Sequence, residues 1–334
     1  MDSDNRYLVY WLISVSAAIF LMIIVGGVTR LTQSGLSMVD WRLIMGVIPP
    51  ISQSDWLAVF ENYKNFPEYQ KINQGMSLDS FKEIFYWEYS HRLLGRLIGI
   101  IFVIPFLWFL MRGHVRHKWR WRLWIALILG SLQGFMGWFM VQSGLVDSPH
   151  VSHFRLAAHL LLAIFILGYI LWLILDLLEV KRSSVSQGTR CLAVFLMITL
   201  AFQLLFGAFT AGLDAGYGFN TYPLMNGKFL ADVALSLEPL WRNFAENGAM
   251  IQFVHRWLGA ILLAEVIGLS VLTFSTALRI PSLILLGVTT FQFLIGVLTL
   301  IYRVPLVLGS LHQAVACLMF LTLVYVLYVV RKEK

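Results

Sequence analysis

Charge is what this 334-residue chain has least of. Only 13% of its residues are Asp, Glu, Lys or Arg, against 59% hydrophobic, a balance that excludes an ordinary soluble domain. Cysteine is nearly absent as well. Cys191 stands at one end of an apolar run and Cys317 inside another, so their depths differ and no disulfide is expected between them. Both read as small buried apolar residues. Acidic residues are the scarcer sign, 18 against 25 basic, for a net charge of +7. The basic residues are scattered along the ends of apolar runs, where they face anionic lipid, so nucleic-acid binding is not needed to explain them.

What the chain has in abundance is long apolar runs. A helix needs about 20 apolar residues to cross about 30 Å of hydrocarbon, and eight runs qualify, near 8–30, 92–112, 121–143, 154–178, 191–212, 250–275, 281–302 and 309–330. The chain is therefore expected to be an all-α integral membrane protein with eight transmembrane helices. The first run, Leu8 to Val28, is too long for a signal peptide and no small-residue cleavage site follows it, so it is read as a retained anchor. Positive charge in short loops stays cytoplasmic. The connection holding Arg112, Arg116, Lys118, Arg120 and Arg122, the residues Lys181, Arg182 and Arg190, and the tail Arg331, Lys332 and Lys334 place both termini on that side of a bacterial inner membrane.

The chain repeats itself. Glu88-Tyr-Ser-His91-Arg92-Leu-Leu-Gly95 returns as Gln252-Phe-Val-His255-Arg256-Trp-Leu-Gly259, and a second histidine follows each copy, at His159 and His312. Gly26-Gly-Val-Thr29 parallels Gly207-Ala-Phe-Thr210, and Gln133 with Gly137 parallels Gln292 with Gly296. Features recurring in one order point to a duplicated unit, here two pseudo-symmetric four-helix bundles, residues 1–185 and 186–334. Gly26, Gly95, Gly137, Gly207, Gly259 and Gly296 suit close helix packing in lipid. Each half carries a long outer connection, 31–90 with Pro49, Pro50, Trp56, Tyr63, Pro67 and Tyr69, and 213–249 with Tyr217, Tyr222, Pro223 and Trp241. Connections of that length read as lids over a site, with an interfacial aromatic belt as the simpler account of any one ring.

Intramembrane histidine is costly unless something engages it. His91 and His255 open their apolar runs, and His159 and His312 lie in the first turns of theirs, so both members of each pair reach the same outer depth. Two imidazoles at one depth inside a bundle suit an axially ligated iron porphyrin, one in each half. Arg92 and Arg256 follow the first histidine of each pair and are placed to meet haem propionates, with Arg30, Arg96, Arg155 and Arg303 near the same surface. Snorkelling to the interface is the alternative for each. His114, His117, His150 and His153 read as solvated or interfacial.

Glu88 breaks the symmetry. It shares a helix face with His91, where a carboxylate in low dielectric becomes a proton acceptor or stabilises a cation; a first-turn glutamate favoured by the helix dipole is the simpler account. The second copy has Gln252 at that place, which keeps the shape and discards the charge. One half is thus expected to react and the other to hold a cofactor.

The strings Gly26 to Trp41, Tyr63-Lys-Asn-Phe-Pro-Glu-Tyr69 and Phe85-Tyr-Trp-Glu-Tyr-Ser-His-Arg-Leu-Leu-Gly-Arg96 resemble the haem A synthase family of the proteobacterial and mitochondrial type. The likeness covers nearly the whole chain, including the His255 and His312 motifs. It implies oxidation of the C8 methyl of haem O to a formyl group, with oxygen from water, through an alcohol and a geminal diol, to supply haem A for cytochrome c oxidase. It also implies that His255 and His312 hold haem B as cofactor, with Arg256. His91, His159 and Arg92 then form the substrate haem O site, and Glu88 is the catalytic residue. The partners implied are haem O, the haem O synthase (protohaem farnesyltransferase), an electron acceptor, bilayer lipid and a homo-oligomeric copy. A Gram-positive branch of the family carries a cysteine pair in its first outer loop; this chain has none there. Two other readings stay open on the residues alone. One is a dihaem b-type membrane electron-transfer cytochrome, which predicts no special carboxylate in one half. The other is a duplicated transporter using the histidines as proton relays.

Overall fold

The structure, a computed structural model, describes residues 3–40, 47–146 and 148–331. Trp41, which closes the first family string, and Lys332 and Lys334 of the basic tail lie outside the described residues. Eleven α-helices are described: α1 Ser3–Leu31, α2 Gln53–Tyr63, α3 Pro67–Lys71, α4 Leu78–Met111, α5 His117–Gln142, α6 His153–Leu177, α7 Gln187–Gly212, α8 Asn243–Glu246, α9 Gly248–Thr273, α10 Arg279–Ile301 and α11 Leu306–Val330. Eight of them, all but α2, α3 and α8, are long and apolar enough to cross a membrane. The all-helical fold and its eight spans follow the apolar runs closely.

One boundary differs. The second span is expected from residue 92, but α4 begins at Leu78, capped by the Ser77 side chain on the Ser80 amide. His91 therefore lies thirteen residues into its helix, about 20 Å along it, rather than at its end. The extra turns carry Asp79, Lys82 and Glu83 alongside buried Phe81 and Phe85, so helix period is already present before the apolar run begins. The connection 31–90 is correspondingly structured. Trp56, Phe60 and Tyr63 of α2 pack on Phe81 and Phe85 of α4, with Trp56 edge-on to Phe85 at 5.0 Å. A capping box at Ser52 and Asp55 starts α2.

By its contacts the chain forms two compact units, Ala17–Ala163 and Met1–Ser16 with Ile164–Lys334. In the second unit α7 packs on α9 and α11, and α10 packs on α9 and α11, which closes a four-helix ring. Leu196 and Leu200 of α7, Leu262, Val266 and Leu269 of α9, Leu285 of α10 and Leu323 of α11 fill it. Cys317 is buried in α11, but Cys191, expected to be buried, is exposed in the second turn of α7. It lies near the start of the helix, where its sulfur accepts from Gln187 Nε2 at 3.5 Å. Both thiols are free.

Candidate functional site

Each of the four histidines packs against a glycine of a neighbouring helix. A Cβ added at Gly26 of α1 would stand 3.1 Å from His91 Nε2, and one at Gly137 of α5 would stand 3.0 Å from His159 Cε1. At Gly207 of α7 it would meet His255 Cε1 at 3.0 Å, and at Gly296 of α10 it would meet His312 Cε1 at 2.7 Å. Carbon atoms rest at about 3.5–4.0 Å, so no larger residue fits at Gly296 with the ring in place. Four of the six glycines read as packing residues thus make room for imidazoles. The other two serve helix contact: Gly95 lies against Met22, and Gly259 against Gln203.

Both histidine pairs fall within single units, His91 with His159 and His255 with His312. The rings of His255 and His312 have centroids 6.3 Å apart and planes at 89°. A ring nitrogen lies about 1.1 Å from its centroid and binds a first-row metal at about 2.0 Å, so two imidazoles on opposite sides of one metal stand about 6.2 Å apart. The observed spacing leaves room for a metal between the rings. Buried Nδ1 atoms of both rings have no protein partner, and buried polar atoms in that state ask for a ligand. Gln133 Nε2 lies 3.1 Å from His159 Nδ1 and donates to the His159 carbonyl at 3.1 Å. Its counterpart Gln292 Nε2 lies 3.4 Å from His312 Nε2. The duplicated glutamines therefore orient the second histidine of each pair, a contact that their order in the sequence does not disclose.

Glu88 is 2% exposed and held on both oxygens. Arg92 Nη2 donates to Oε1 at 2.5 Å, while the Ser37 hydroxyl and the Met38 amide donate to Oε2 at 2.8 and 2.7 Å. Arg92 also donates to the Met38 and Asp40 carbonyls at 2.7 and 3.2 Å. The pair thus ties the segment following α1 onto the histidine-bearing helix. Gln252 and Arg256 do the same for the segment following α7. Gln252 Nε2 donates to the Ala215 and Gly218 carbonyls at 2.8 and 2.7 Å, and Arg256 donates to Gln252 Oε1 at 2.8 Å and to the Phe219 and Thr221 carbonyls at 2.5 and 2.6 Å. The glutamate meets donors and the glutamine meets acceptors. Charge at this position therefore matches what each loop presents, a role that sequence alone did not suggest for either residue. Arg256 keeps its buried Nε without a protein partner, which leaves one donor for a carboxylate such as a propionate.

The other arginines scatter. Arg155 donates to the Phe139 carbonyl at 2.8 Å and lies over that ring, and Arg303 is exposed in the turn before α11. His117 and His150 are exposed, His114 packs on Trp108 and Phe109, and His153 on Phe154. Sequence reasoning missed Glu265, a half-buried acid inside α9 that accepts from Thr199 Oγ1 at 3.1 Å. An acidic residue within an apolar run was the available signal. It also assigned no role to Glu68, a buried acid in the outer connection.

Fold and site together define a multi-pass membrane protein with a histidine pair in each of two units, the rings of the second pair 6.3 Å apart. The family model described as cytochrome oxidase assembly protein, COX15-CtaA, matches residues 9–324. A protein of Nitrosospira multiformis named heme A synthase is 46% identical over 97% of this chain and 93% of its own length. Those of Parvibaculum lavamentivorans and Wolbachia pipientis, with the same name, are 43% and 39% identical over 96% and 97% of this chain and 93% and 92% of their own lengths. The chain belongs to the COX15-CtaA family of cytochrome oxidase assembly proteins.

Proposed function

We propose that this chain is a haem A synthase, an oxidoreductase that converts the C8 methyl of haem O to a formyl group with oxygen from water and so supplies haem A to cytochrome c oxidase. Residues 1–185 bind the substrate through His91 and His159, and residues 186–334 hold haem B through His255 and His312, with Arg256 Nε free to meet a propionate. Haem B, when bound, supplies one-electron transfer toward an acceptor. The observation that carries the reading is the contrast between two like-built sites, each with its imidazoles set against glycine, of which only the first has a carboxylate one turn from its ligand. The relatives' shared name points the same way.

Glu88 is the residue assigned to chemistry. A carboxylate offers about four acceptor positions, and Arg92, Ser37 and Met38 occupy three. One remains for the proton of an attacking water or for charge developing at the methyl carbon. The same three donors hold the carboxylate still, so orientation costs nothing at the moment of reaction. Burial of Phe85 and Phe81, one and two turns earlier on α4, keeps bulk water from that side. The basic residues at the opposite helix ends support cytoplasmic termini in a bacterial inner membrane.

Co-expression with a haem O source, followed by chromatography of extracted haems, tests the reading. Haem A or hydroxylated haem O is expected with the parent and neither with Glu88→Ala. Absence of both from the parent, or a Glu88→Ala variant equal to it, would falsify the assignment; the first outcome favours an electron-transfer cytochrome.

A further inference from the structure

The two units differ at a second place, one turn inward of the first histidine of each pair. Gly95 of α4 and Gly259 of α9 stand there, each one turn, about 5 Å, past His91 or His255. A Cβ at Gly95 would meet the Met22 methyl of α1 at 3.3 Å, and one at Gly259 would meet the Gln203 amide nitrogen of α7 at 3.3 Å. Met22 and Gln203 hold like positions in the repeat, each one helical turn before the glycine that seats the imidazole, Gly26 or Gly207. A flexible thioether in one unit is therefore a primary amide in the other, and the buried Gln203 Oε1 has no protein partner.

The facing helices differ in the same sense. Phe293 follows Gln292 on α10 as Gly134 follows Gln133 on α5. The Phe293 ring comes to 3.9 Å from the Cβ position of Gly259 and is backed edge-on by Tyr222, with ring centroids 6.0 Å apart. At Gly134 there is no ring, and a Cβ there would meet nothing within 4 Å. α4 and α5 also approach each other less closely than α9 and α10. Gly134 is exposed, so the gap left in the first unit opens toward hydrocarbon.

Haem O differs from haem B by one large group, its farnesyl chain. Arg92 and Arg256 reach carbonyls of the outer connections. Propionates that meet these arginines lie outward, and the opposite edge of the macrocycle, where haem O carries its chain, turns inward. We infer that Met22, Gly95 and Gly134 form the passage for this chain in the first unit, and that Phe293 and Gln203 close the same place in the second, so that each unit takes its own haem. Met22 yields to a branched apolar chain, because an unbranched thioether refills irregular space. Gln203 beside such a chain keeps a buried oxygen unsatisfied, which is costly. The inference deepens the function proposed above and rests on it.

The test uses the full-length chain with one histidine pair replaced, so that the other unit is read alone, and titrates it with haem O and with haem B while the Soret band reports binding. With His255→Ala/His312→Ala, the first unit binds haem O tightly and haem B more weakly. Adding Gly134→Phe lowers the haem O affinity roughly 10- to 100-fold, toward that for haem B, which stays as it was. With His91→Ala/His159→Ala, the second unit binds haem B and rejects haem O; adding Phe293→Gly with Gln203→Met admits haem O. A Gly134→Phe protein that weakens both haems equally, or neither, overturns the inference alone. Should that variant not fold, failure of the Phe293→Gly/Gln203→Met protein to gain haem O overturns it instead. A first unit that binds no haem O before Gly134 is changed overturns the proposed function and this inference with it.

Discussion

At the residue scale the site is made by what is absent from four positions. Helices in lipid gain little by burying apolar surface against one another, so small residues set how closely they approach. Gly26, Gly137, Gly207 and Gly296 use that closeness to seat imidazoles rather than helix backbones. Gly296→Ala would put a methyl 2.7 Å from His312 Cε1, and the ring has to leave its place opposite His255. We expect the haem spectrum of the second unit to weaken or vanish in that variant, while Gly287→Ala on the same helix, with open space around it, keeps the parental spectrum. Equal spectra in the two variants would show that the glycine does not seat the ligand. The histidines and their repeat were legible in the sequence; the glycine partners were visible as a recurring pattern, but their purpose was not, because partners on other helices have no fixed spacing along the chain.

At the element scale, a glutamate or glutamine paired with an arginine one turn on pins the segment that follows the preceding long helix. Beside the reactive-against-inert contrast proposed above, Glu88 and Gln252 each hold a loop in place. Ser37 and Met38 present hydrogens, Ala215 and Gly218 present oxygens, and each side chain complements its own loop. A Gln252→Glu substitution removes two donors and sets a carboxylate against two carbonyls. Each buried polar group left without its partner costs about 1–3 kcal/mol, so a lower thermal unfolding temperature and no gain of haem A formation are expected, by scanning calorimetry and haem extraction. An unchanged unfolding temperature would count against the clamp. Which atoms a loop turns toward a helix depends on its backbone path, and that path is not written in residue types.

At the scale of the molecule, two units with one histidine pair each predict separable loading. Grown without a haem O source, the parent should retain haem B, the His255→Ala/His312→Ala double variant should lose it, and the His91→Ala/His159→Ala variant should keep it. Pyridine haemochrome analysis of the purified proteins decides this. Loss of the same haem from both double variants would mean that the pairs do not form independent sites.

Hydropathy and repetition alone determined the membrane class, the number of spans and the paired histidines, while the strings around Gly26, Tyr63 and Phe85 carried the resemblance to the family. Those features survive as patterns along one dimension, because crossing hydrocarbon imposes a length on apolar runs and duplication copies residues in order. Only the tertiary structure decided that α4 extends outward to Leu78, that glycines face the imidazoles, that the Glu88 carboxylate is clamped, and that Glu68 is buried beside Tyr63. Each of these depends on atoms from segments distant in sequence meeting in a low-dielectric interior, where a single hydrogen bond or methyl group is felt.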